Sequence, residues 1–148
     1  FIPQVGNLEL TEATKAYIGP KPFIFNESLR NNLIYSSTEE VNDLDIERLI
    51  EEFQLFESEV VDLNKNISSN NLSSGQMQKI CFIRTLLQNP DFIFLDEATT
   101  NLDKEAIEIV IQKLKSFSGT LIIVSHEPEL FSSFTKEYKI KNKNLAEL

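Results

Sequence analysis

The sequence is poor in the residues that would assign it to several large classes of protein. Its single cysteine, Cys81, permits neither an intrachain disulfide nor a metal site made of cysteines alone, which is typical of proteins in reducing compartments. Apolar runs are only strand-sized, as at 121–124, whereas a membrane-spanning helix needs about 20 apolar residues. The 14 basic residues are scattered among 23 acidic ones, for a net charge of −9. The clustered positive charge of a nucleic-acid-binding surface is therefore missing as well.

Glycine is also scarce, with four in the whole sequence, at positions 6, 19, 75 and 119, and none of them precedes a lysine. A phosphate-binding loop of the form Gly-x-x-x-x-Gly-Lys-Ser/Thr is therefore absent. The sequence begins Phe1-Ile2-Pro3-Gln4 without an initiator methionine, from which we expect it to be part of a longer chain. What remains, 41% hydrophobic and 25% charged residues in 148, is ordinary for a globular domain with a core of its own.

Capping residues followed by apolar residues at helical spacing predict four helices. The strongest signal is Ser73 with Gln76 three residues later, which has the form of a capping box. The predicted helices are a short one from Asn26 to Leu33, one that starts at Asp43 or Asp45 and includes Phe53, one from Ser73 to Asn89-Pro90, and one from Asp103 to about Ser116.

Two unbroken apolar runs, 92–95 and 121–124, predict strands that are buried on both faces. The helix predicted between them implies a right-handed parallel crossover and hence an α/β fold. Short extended pieces are expected within residues 1–25, including Lys15 to Ile18, and a final strand at 137–140. The polar stretch 57–71 is predicted to be a loop.

Charged and polar side chains directly follow both apolar strands. Asp96 and Glu97 come after the first, and Ser125 and His126 come after the second, so all four are expected at the carboxyl edge of the sheet, where α/β proteins bind ligands. The acidic pair fits a Mg²⁺-holding aspartate beside a base for water, or equally a helix cap at the end of a strand. A lone histidine in such a place is more often structural than catalytic.

The start of the predicted helix at Ser73 has a second interpretation. Ser73 and Gly75 leave backbone N–H groups free at a helix N-terminus, where the helix dipole favours an anion. Taken alone, an ordinary capped helix explains these residues as well.

Four segments, taken in order, resemble the motifs of ATP-binding cassette (ABC) ATPases. Asn71-Leu-Ser-Ser-Gly-Gln-Met-Gln-Lys-Ile is similar to the ABC signature, and Phe92-Ile-Phe-Leu-Asp-Glu-Ala-Thr is similar to Walker B with its catalytic glutamate. Thr100-Asn-Leu-Asp103 resembles the D-loop, and Ile122-Ile-Val-Ser-His126 resembles the switch-histidine motif. The resemblance covers roughly residues 15–126. It implies a P-loop NTPase-like partial domain, namely a parallel sheet with helices plus an α-helical signature subdomain, from the C-terminal part of a cassette that lacks Walker A.

The resemblance also implies roles at the sheet edge, with ATP and Mg²⁺ as cofactors. Asp96 would bind Mg²⁺ through water, Glu97 would polarise the attacking water, and His126 would contact the γ-phosphate. Glu97 and His126 are thus the catalytic candidates, and Asp96 is the metal candidate.

The remaining ATP-binding candidates are Ser73, Ser74, Gly75, Gln76 and Asp103. In ABC ATPases two cassettes sandwich nucleotide head to tail, so the resemblance implies that residues 73–76, here named the signature turn, contact the ATP of a second cassette. Asp103 would help to shape that interface. We therefore expect the turn to be exposed and to lie on a separate lobe from Glu97 and His126.

Two positions depart from the family pattern. The segment Tyr17-Ile-Gly-Pro-Lys-Pro-Phe-Ile-Phe-Asn resembles the Q-loop region, but Pro20 stands where the glutamine belongs, and Ser74 replaces a signature glycine. Proline cannot reach a metal or a water through its side chain, so coupling through this loop is in question. We predict three ranges along the chain: a remnant of the antiparallel and Q-loop region at 1–25, the helical signature subdomain at 26–90, and the C-terminal part of the ATPase core at 91–148.

The stretch Phe23-Ile-Phe-Asn-Glu-Ser-Leu-Arg-Asn-Asn-Leu resembles exporter cassettes, in which it faces the membrane domain. The leading hypothesis is an ATP-hydrolysing cassette of an exporter-like transporter at the cytoplasmic face of a membrane, inactive as this piece alone. Its expected partners are a second cassette and a transmembrane domain, without nucleic acid. Two alternatives stay open: a soluble ABC ATPase acting on DNA or ribosomes, and a degenerate cassette with a structural or regulatory role.

Overall fold

The computed structural model describes residues 12–37, 40–56, 60–126, 136, 138–141 and 144–147. The extended pieces predicted within residues 1–11 lie outside this part of the chain. The described helices and strands, in chain order, are β1 (Lys15–Ile18), β2 (Glu27–Ser28), α1 (Leu29–Ile34), α2 (Asp43–Glu52), β3 (Asn66–Ile67), α3 (Ser74–Gln88), β4 (Phe92–Asp96), α4 (Lys104–Lys115), β5 (Thr120–Val124), β6 (Tyr138–Lys141) and β7 (Asn144–Glu147).

The central feature is a three-stranded parallel sheet in the order β1-β4-β5. Helix α4 connects β4 to β5, so the predicted parallel crossover and the α/β class are confirmed. β1 is also parallel to β4, so the described part of residues 1–25 adds a strand to the parallel sheet. The division of the chain into three ranges stays a prediction.

Two of the predicted helices begin and end as expected because their caps are local chemistry. In α3, Ser73 Oγ accepts from the backbone N–H of Gln76, and Gln76 Oε1 accepts in return from the N–H of Ser73, at 3.1 and 2.9 Å. Asn89 ends α3 in the left-handed conformation, with φ of 45°. In α4, Asp103 Oδ1 accepts from the N–H of Ala106 at 2.8 Å.

Of the other two helices, α1 begins later than predicted and α2 begins at a predicted residue. The cap of α1 is Ser28, not Asn26, because β2 pairs with β3 and holds residues 27–28 extended. Helix α2 begins at Asp43, one of the two predicted starts, and its cap is Asn42. The short strand β3 lies within the predicted loop 57–71, and β6 is followed by a hairpin partner, β7, that was not predicted.

The prediction that both apolar strands are buried on two faces is wrong. In β4 the buried residues alternate, with Ile93 and Leu95 inside and the others half-buried. In β5, Ile122 and Val124 are 46% and 55% exposed. The buried residues of α3 and α4 pack in one core with Ile93 and Leu95, so only one face of the sheet is fully covered in the described structure.

A single hydrophobic core joins the helical part to the sheet. Its least exposed members include Leu33 of α1, Ile46 of α2, Ile80 of α3 and Ile93 of β4. Phe53, which caps the C-terminus of α2, is fully buried in the same cluster. The helical part and the sheet therefore share one core.

The cap of α4 provides a test of this local chemistry. We expect Asp103→Ala to lower the free energy of unfolding by about 1 kcal/mol, because the cap on Ala106 is lost. Asp103→Asn is the matched control, since asparagine caps equally well and only the exposed ion pair with Lys79 is removed. Urea unfolding measures both, and equal losses in the two variants would contradict the assignment.

The same experiment has a pH dependence. Hydrogen bonding to the Ala106 N–H, followed by the charge of Lys79, holds the pKa of Asp103 below its ordinary value. A depressed carboxyl pKa stabilises the fold above the unfolded pKa of about 3.9 and ceases to do so as the pH falls through the folded value. The difference in the free energy of unfolding between wild type and Asp103→Ala should therefore become smaller as the pH is lowered.

Candidate functional site

The carboxyl end of β4 positions the acidic pair. Asp96 is the last residue of β4 and pairs with Val124 of β5. The N–H of Glu97 donates to the carbonyl of Val124 at 2.8 Å, which holds the residue after the strand against β5. Glu97 adopts φ of 49°, a left-handed conformation that is uncommon for a residue other than glycine and that clusters at functional sites.

The predicted catalytic side chains are in direct contact. His126 Nε2 lies 2.7 Å from Glu97 Oε1, with the imidazole 86% exposed and the carboxylate 35% exposed. Because the carboxyl ends of two adjacent parallel strands meet at one edge, residues 29 apart in the sequence form a carboxylate–imidazole pair that opens to solvent. Such a pair can accept a proton from a water and can present an imidazole nitrogen to an anion.

Asp96 has a partner that sequence reasoning missed. The hydroxyl of Tyr17 in β1 donates to Asp96 Oδ2 at 3.1 Å. The pKa of the Tyr17 phenol is raised by partial desolvation, by this hydrogen bond and by the negative charge of Asp96, so the hydroxyl stays a donor at neutral pH. The only available signal was the alternation of β1, in which Ala16 and Ile18 are buried and Tyr17 faces the other side.

The signature turn is exposed, as expected. Ser73 and Ser74 are exposed, and Gly75 and Gln76 are half-buried. Gly75 lies against the D-loop of its own chain: a Cβ placed there would be 3.0 Å from the backbone oxygen of Asn101. The two backbones therefore approach so closely that a side chain at position 75 would make a tighter contact than most Cβ atoms do.

Helix α3, which follows the signature turn, is tied to the sheet side of the molecule. Lys79 forms an ion pair with Asp103 at 3.2 Å, and the buried Gln78 donates to the carbonyl of Gly19 at 3.2 Å. Asn101 in turn donates to the carbonyl of Pro20 at 3.2 Å. The expectation of separate lobes is therefore wrong, because these contacts and the shared core join the helix, the D-loop and the Pro20 segment.

Phe23, Phe25 and Tyr35 form an aromatic surface beside α3. Phe23 and Tyr35 are 63% and 51% exposed and flank Phe25, whose ring contacts both. The guanidinium of Arg84 lies 5.5 Å from the Phe25 ring centre and donates to the carbonyls of Asn32 and Phe23. A cavity of about 350 Å³ opens beside Phe23, Tyr35 and Arg84.

The carboxylates at the sheet edge do not form a complete metal site by themselves. Within the described ranges no three His, Cys, Asp or Glu side chains converge on a common point, so these residues do not build a complete cage. Mg²⁺ is commonly bound by one or two carboxylates together with substrate phosphates and waters. Asp96, at the sheet edge beside Glu97, fits a Mg²⁺ ion that arrives with a nucleotide.

Among the described residues, none of the helices combines the length and the apolar character that crossing a bilayer requires.

The chain is similar to known proteins in sequence and in fold. The family described as ABC transporter matches residues 5–100. The chain is 29% identical over 140 residues to the ATP-dependent lipid A-core flippase of Pseudoalteromonas translucida, an alignment that covers 89% of this chain and 24% of the flippase. It is 41% identical over 69 residues to the ATP-binding protein Uup of Buchnera aphidicola, covering 47% of this chain and 12% of that protein.

A solved structure has the same fold. A bacterial Atm1-family ABC exporter with ATP bound superposes with a TM-score of 0.75 at 16% sequence identity, covering 90% of this chain and 24% of the exporter. The chain thus spans about a quarter of the length of the flippase and of the exporter that it matches.

Proposed function

Because the chain belongs to the ABC transporter family, we propose that it is part of an ATPase cassette that couples ATP hydrolysis to transport through an exporter-type membrane domain. The observation that carries the proposal is the 2.7 Å contact between Glu97 and His126 beside Asp96, at the carboxyl edge of a parallel sheet. ATP binding is a general property of this family, whereas hydrolysis and transport by this protein are part of the proposal.

In this proposal Glu97, His126 and Asp96 each have a separate role in the transfer of the phosphoryl group to water. Glu97 orients a water and accepts its proton, and the contact with His126 holds the carboxylate in place. His126 is exposed enough to reach the γ-phosphate. Asp96 would hold Mg²⁺, which when bound supplies positive charge that neutralises the phosphate oxygens.

The signature turn is proposed to serve the nucleotide of a second cassette. Ser73, Ser74, Gly75 and Gln76 lie at the N-terminus of α3, and the two serines are exposed. The capping box uses the backbone N–H groups of Ser73 and Gln76. The N–H groups of Ser74 and Gly75, with the helix dipole, are those that favour a phosphate. Asp103, tied to α3 through Lys79, would face the same interface. The complete site then needs two cassettes.

The aromatic surface formed by Phe23, Phe25 and Tyr35 is proposed to contact the transmembrane domain. Phe23 and Tyr35 are exposed, and Arg84 contacts the Phe25 ring between them while it donates to two backbone carbonyls. Exposed aromatic residues beside a shallow cavity favour a protein partner over water. The cassette would accordingly lie at the cytoplasmic face of a membrane.

We expect the 148-residue chain alone to show no ATP turnover and to bind Mg-ATP weakly. The printed sequence has no Gly-Lys pair, and a phosphate-binding loop normally supplies many of the triphosphate contacts. Titration calorimetry on the chain, with the full-length protein as the positive control, tests this. Micromolar Mg-ATP binding, or turnover that Glu97→Gln abolishes, would overturn the expectation.

Two other functions are distinguished by simple measurements. A soluble ABC ATPase is the second candidate, and the relative Uup, which is named an ATP-binding protein, is the similarity in its favour. If the full-length protein sediments with the membrane fraction, the transporter is favoured. If it stays in the supernatant, the soluble ATPase is favoured. A degenerate structural cassette is supported by Pro20 in place of glutamine, and it requires that Glu97→Gln leave ATP turnover unchanged.

A further inference from the structure

Tyr17 and Asp96 meet because of the register between two parallel strands. Tyr17 pairs with Phe94, two residues before Asp96 on the same strand. The side chains of Tyr17, Phe94 and Asp96 share the face opposite the buried Ile93 and Leu95. A diagonal neighbour on an adjacent strand is within reach of an aromatic side chain, and the Tyr17 hydroxyl accordingly donates to Asp96 Oδ2 at 3.1 Å.

Gly19 makes room for this position of the tyrosine. A Cβ on Gly19 would lie 2.6 Å from the Tyr17 hydroxyl oxygen, 2.9 Å from Cε1 and 3.0 Å from Cζ. Real Cβ atoms do not approach so closely, so any side chain here would displace the end of the tyrosine ring. The position of the Tyr17 hydroxyl therefore depends on the absence of a side chain at Gly19.

The hydrogen bond leaves part of Asp96 free for other partners. A carboxylate has two oxygens with about four acceptor positions, and Tyr17 uses one position on Oδ2. Carboxylates that bind metals are themselves usually hydrogen-bonded, and the bond orients them and tunes their affinity. Tyr17 is a hydrogen-bond partner of this kind for Asp96.

From this geometry, and resting on the proposed metal role of Asp96, we infer that Tyr17 is a positioning residue for the metal-nucleotide site. Its hydroxyl fixes the rotamer of Asp96 through Oδ2 and leaves the second carboxylate oxygen to a hydrated Mg²⁺ that arrives with ATP. Tyr17 touches neither metal nor phosphate in this role. The absence of a Cβ at Gly19 leaves the tyrosine ring room for this position.

The test measures metal binding without turnover. Mn²⁺ is titrated into the full-length protein in the presence of a non-hydrolysable ATP analogue, and bound Mn²⁺ is followed by electron paramagnetic resonance. Loss of an outer-shell partner typically weakens metal affinity by about 10–100-fold, so we expect Tyr17→Phe to weaken Mn²⁺ binding by about 10-fold. Gly19→Ala, which keeps the hydroxyl and moves the ring, should weaken it as well.

Controls separate positioning from a structural effect. Tyr138→Phe removes a hydroxyl from another exposed tyrosine, in β6, and should leave Mn²⁺ affinity unchanged. Binding of the analogue in EDTA should be unchanged in Tyr17→Phe, because the ring is kept and only the hydrogen bond to Asp96 is lost. Weakening of metal-free nucleotide binding by the same factor would show a structural role and overturn the inference.

Asp96→Asn distinguishes this inference from the proposed function beneath it. If Asp96→Asn leaves Mn²⁺ affinity unchanged, the proposed metal role of Asp96 is wrong, and the inference about Tyr17 is overturned as well. If Asp96→Asn weakens Mn²⁺ binding while Tyr17→Phe stays within twofold of wild type, the inference alone is overturned. Weakening by Asp96→Asn, Tyr17→Phe and Gly19→Ala, but not by Tyr138→Phe, supports both.

Discussion

Replacement of Glu97 by glutamine in the full-length protein is expected to slow ATP hydrolysis by about 10²–10⁴-fold, the contribution of a positioned general base. Glutamine has nearly the same shape and still accepts from His126 at the 2.7 Å contact, but it cannot take a proton from water. ATP binding should be retained, because Glu97 is not proposed to contact the phosphates. Phosphate release and equilibrium ATP binding are the two measurements.

The matched control for that substitution is Glu105→Gln. Glu105 lies exposed in the first turn of α4, so the same change of charge occurs away from the sheet edge, and turnover should equal that of wild type. Wild-type turnover by Glu97→Gln itself would mean that Glu97 is not the base and would favour the degenerate cassette.

The second large effect is expected at the signature turn. Ser73→Arg in the full-length protein should lower ATP turnover on the order of 10²–10³-fold, as when a donor to the transition state is removed. An arginine at the exposed N-terminus of α3 would project where the nucleotide of the second cassette docks. Helix α3 should remain folded, because its residues Ile80 and Ile83 are fully buried in the core.

Two control variants identify the cause of the loss of turnover in Ser73→Arg. Ser73→Ala removes the serine Oγ that caps Gln76, at a cost of about 1 kcal/mol in stability, without adding bulk. Asn70→Arg adds the same charge at an exposed position just before the turn. Turnover near wild type in Asn70→Arg, with a deep loss in Ser73→Arg, is the expected result, and equal losses in both would contradict docking at the turn.

The elements that could be predicted from the sequence are those fixed by neighbouring residues. The capping box of α3 and the Asp103 cap of α4 involve side chains and N–H groups only three residues apart. The two apolar strands and the helix between them likewise fixed the parallel crossover and the edge at which Glu97 and His126 meet.

The features that could not be predicted depend on distant parts of the chain. The cap of α1 moved from Asn26 to Ser28 because β2 pairs with β3, about forty residues away. The exposure of Ile122 depends on what covers the sheet, and an apolar run carries no information about that. The contact of Tyr17 with Asp96 spans 79 residues and follows from the register of two strands.

The contacts that join the helical part to the sheet also involve residues that are distant in the sequence. Glycine at position 75 is the signature residue by sequence, but its approach to Asn101 became visible only when α3 and the D-loop were placed together. The carbonyl of Pro20, held by Asn101, shows that the loop without its glutamine is still anchored to the D-loop.

The central claim, that the edge of one cassette works with the signature turn of another, is tested most directly on mixed pairs of two differently tagged copies of the full-length protein, isolated through both tags. In one preparation a single copy carries both Ser73→Arg and Glu97→Gln and its mate is unaltered; in the other, each copy carries one change. The account predicts single-turnover phosphate release from the second preparation, which keeps one complete site, and none from the first. Equal release, or release from the first preparation alone, would contradict a site shared between cassettes.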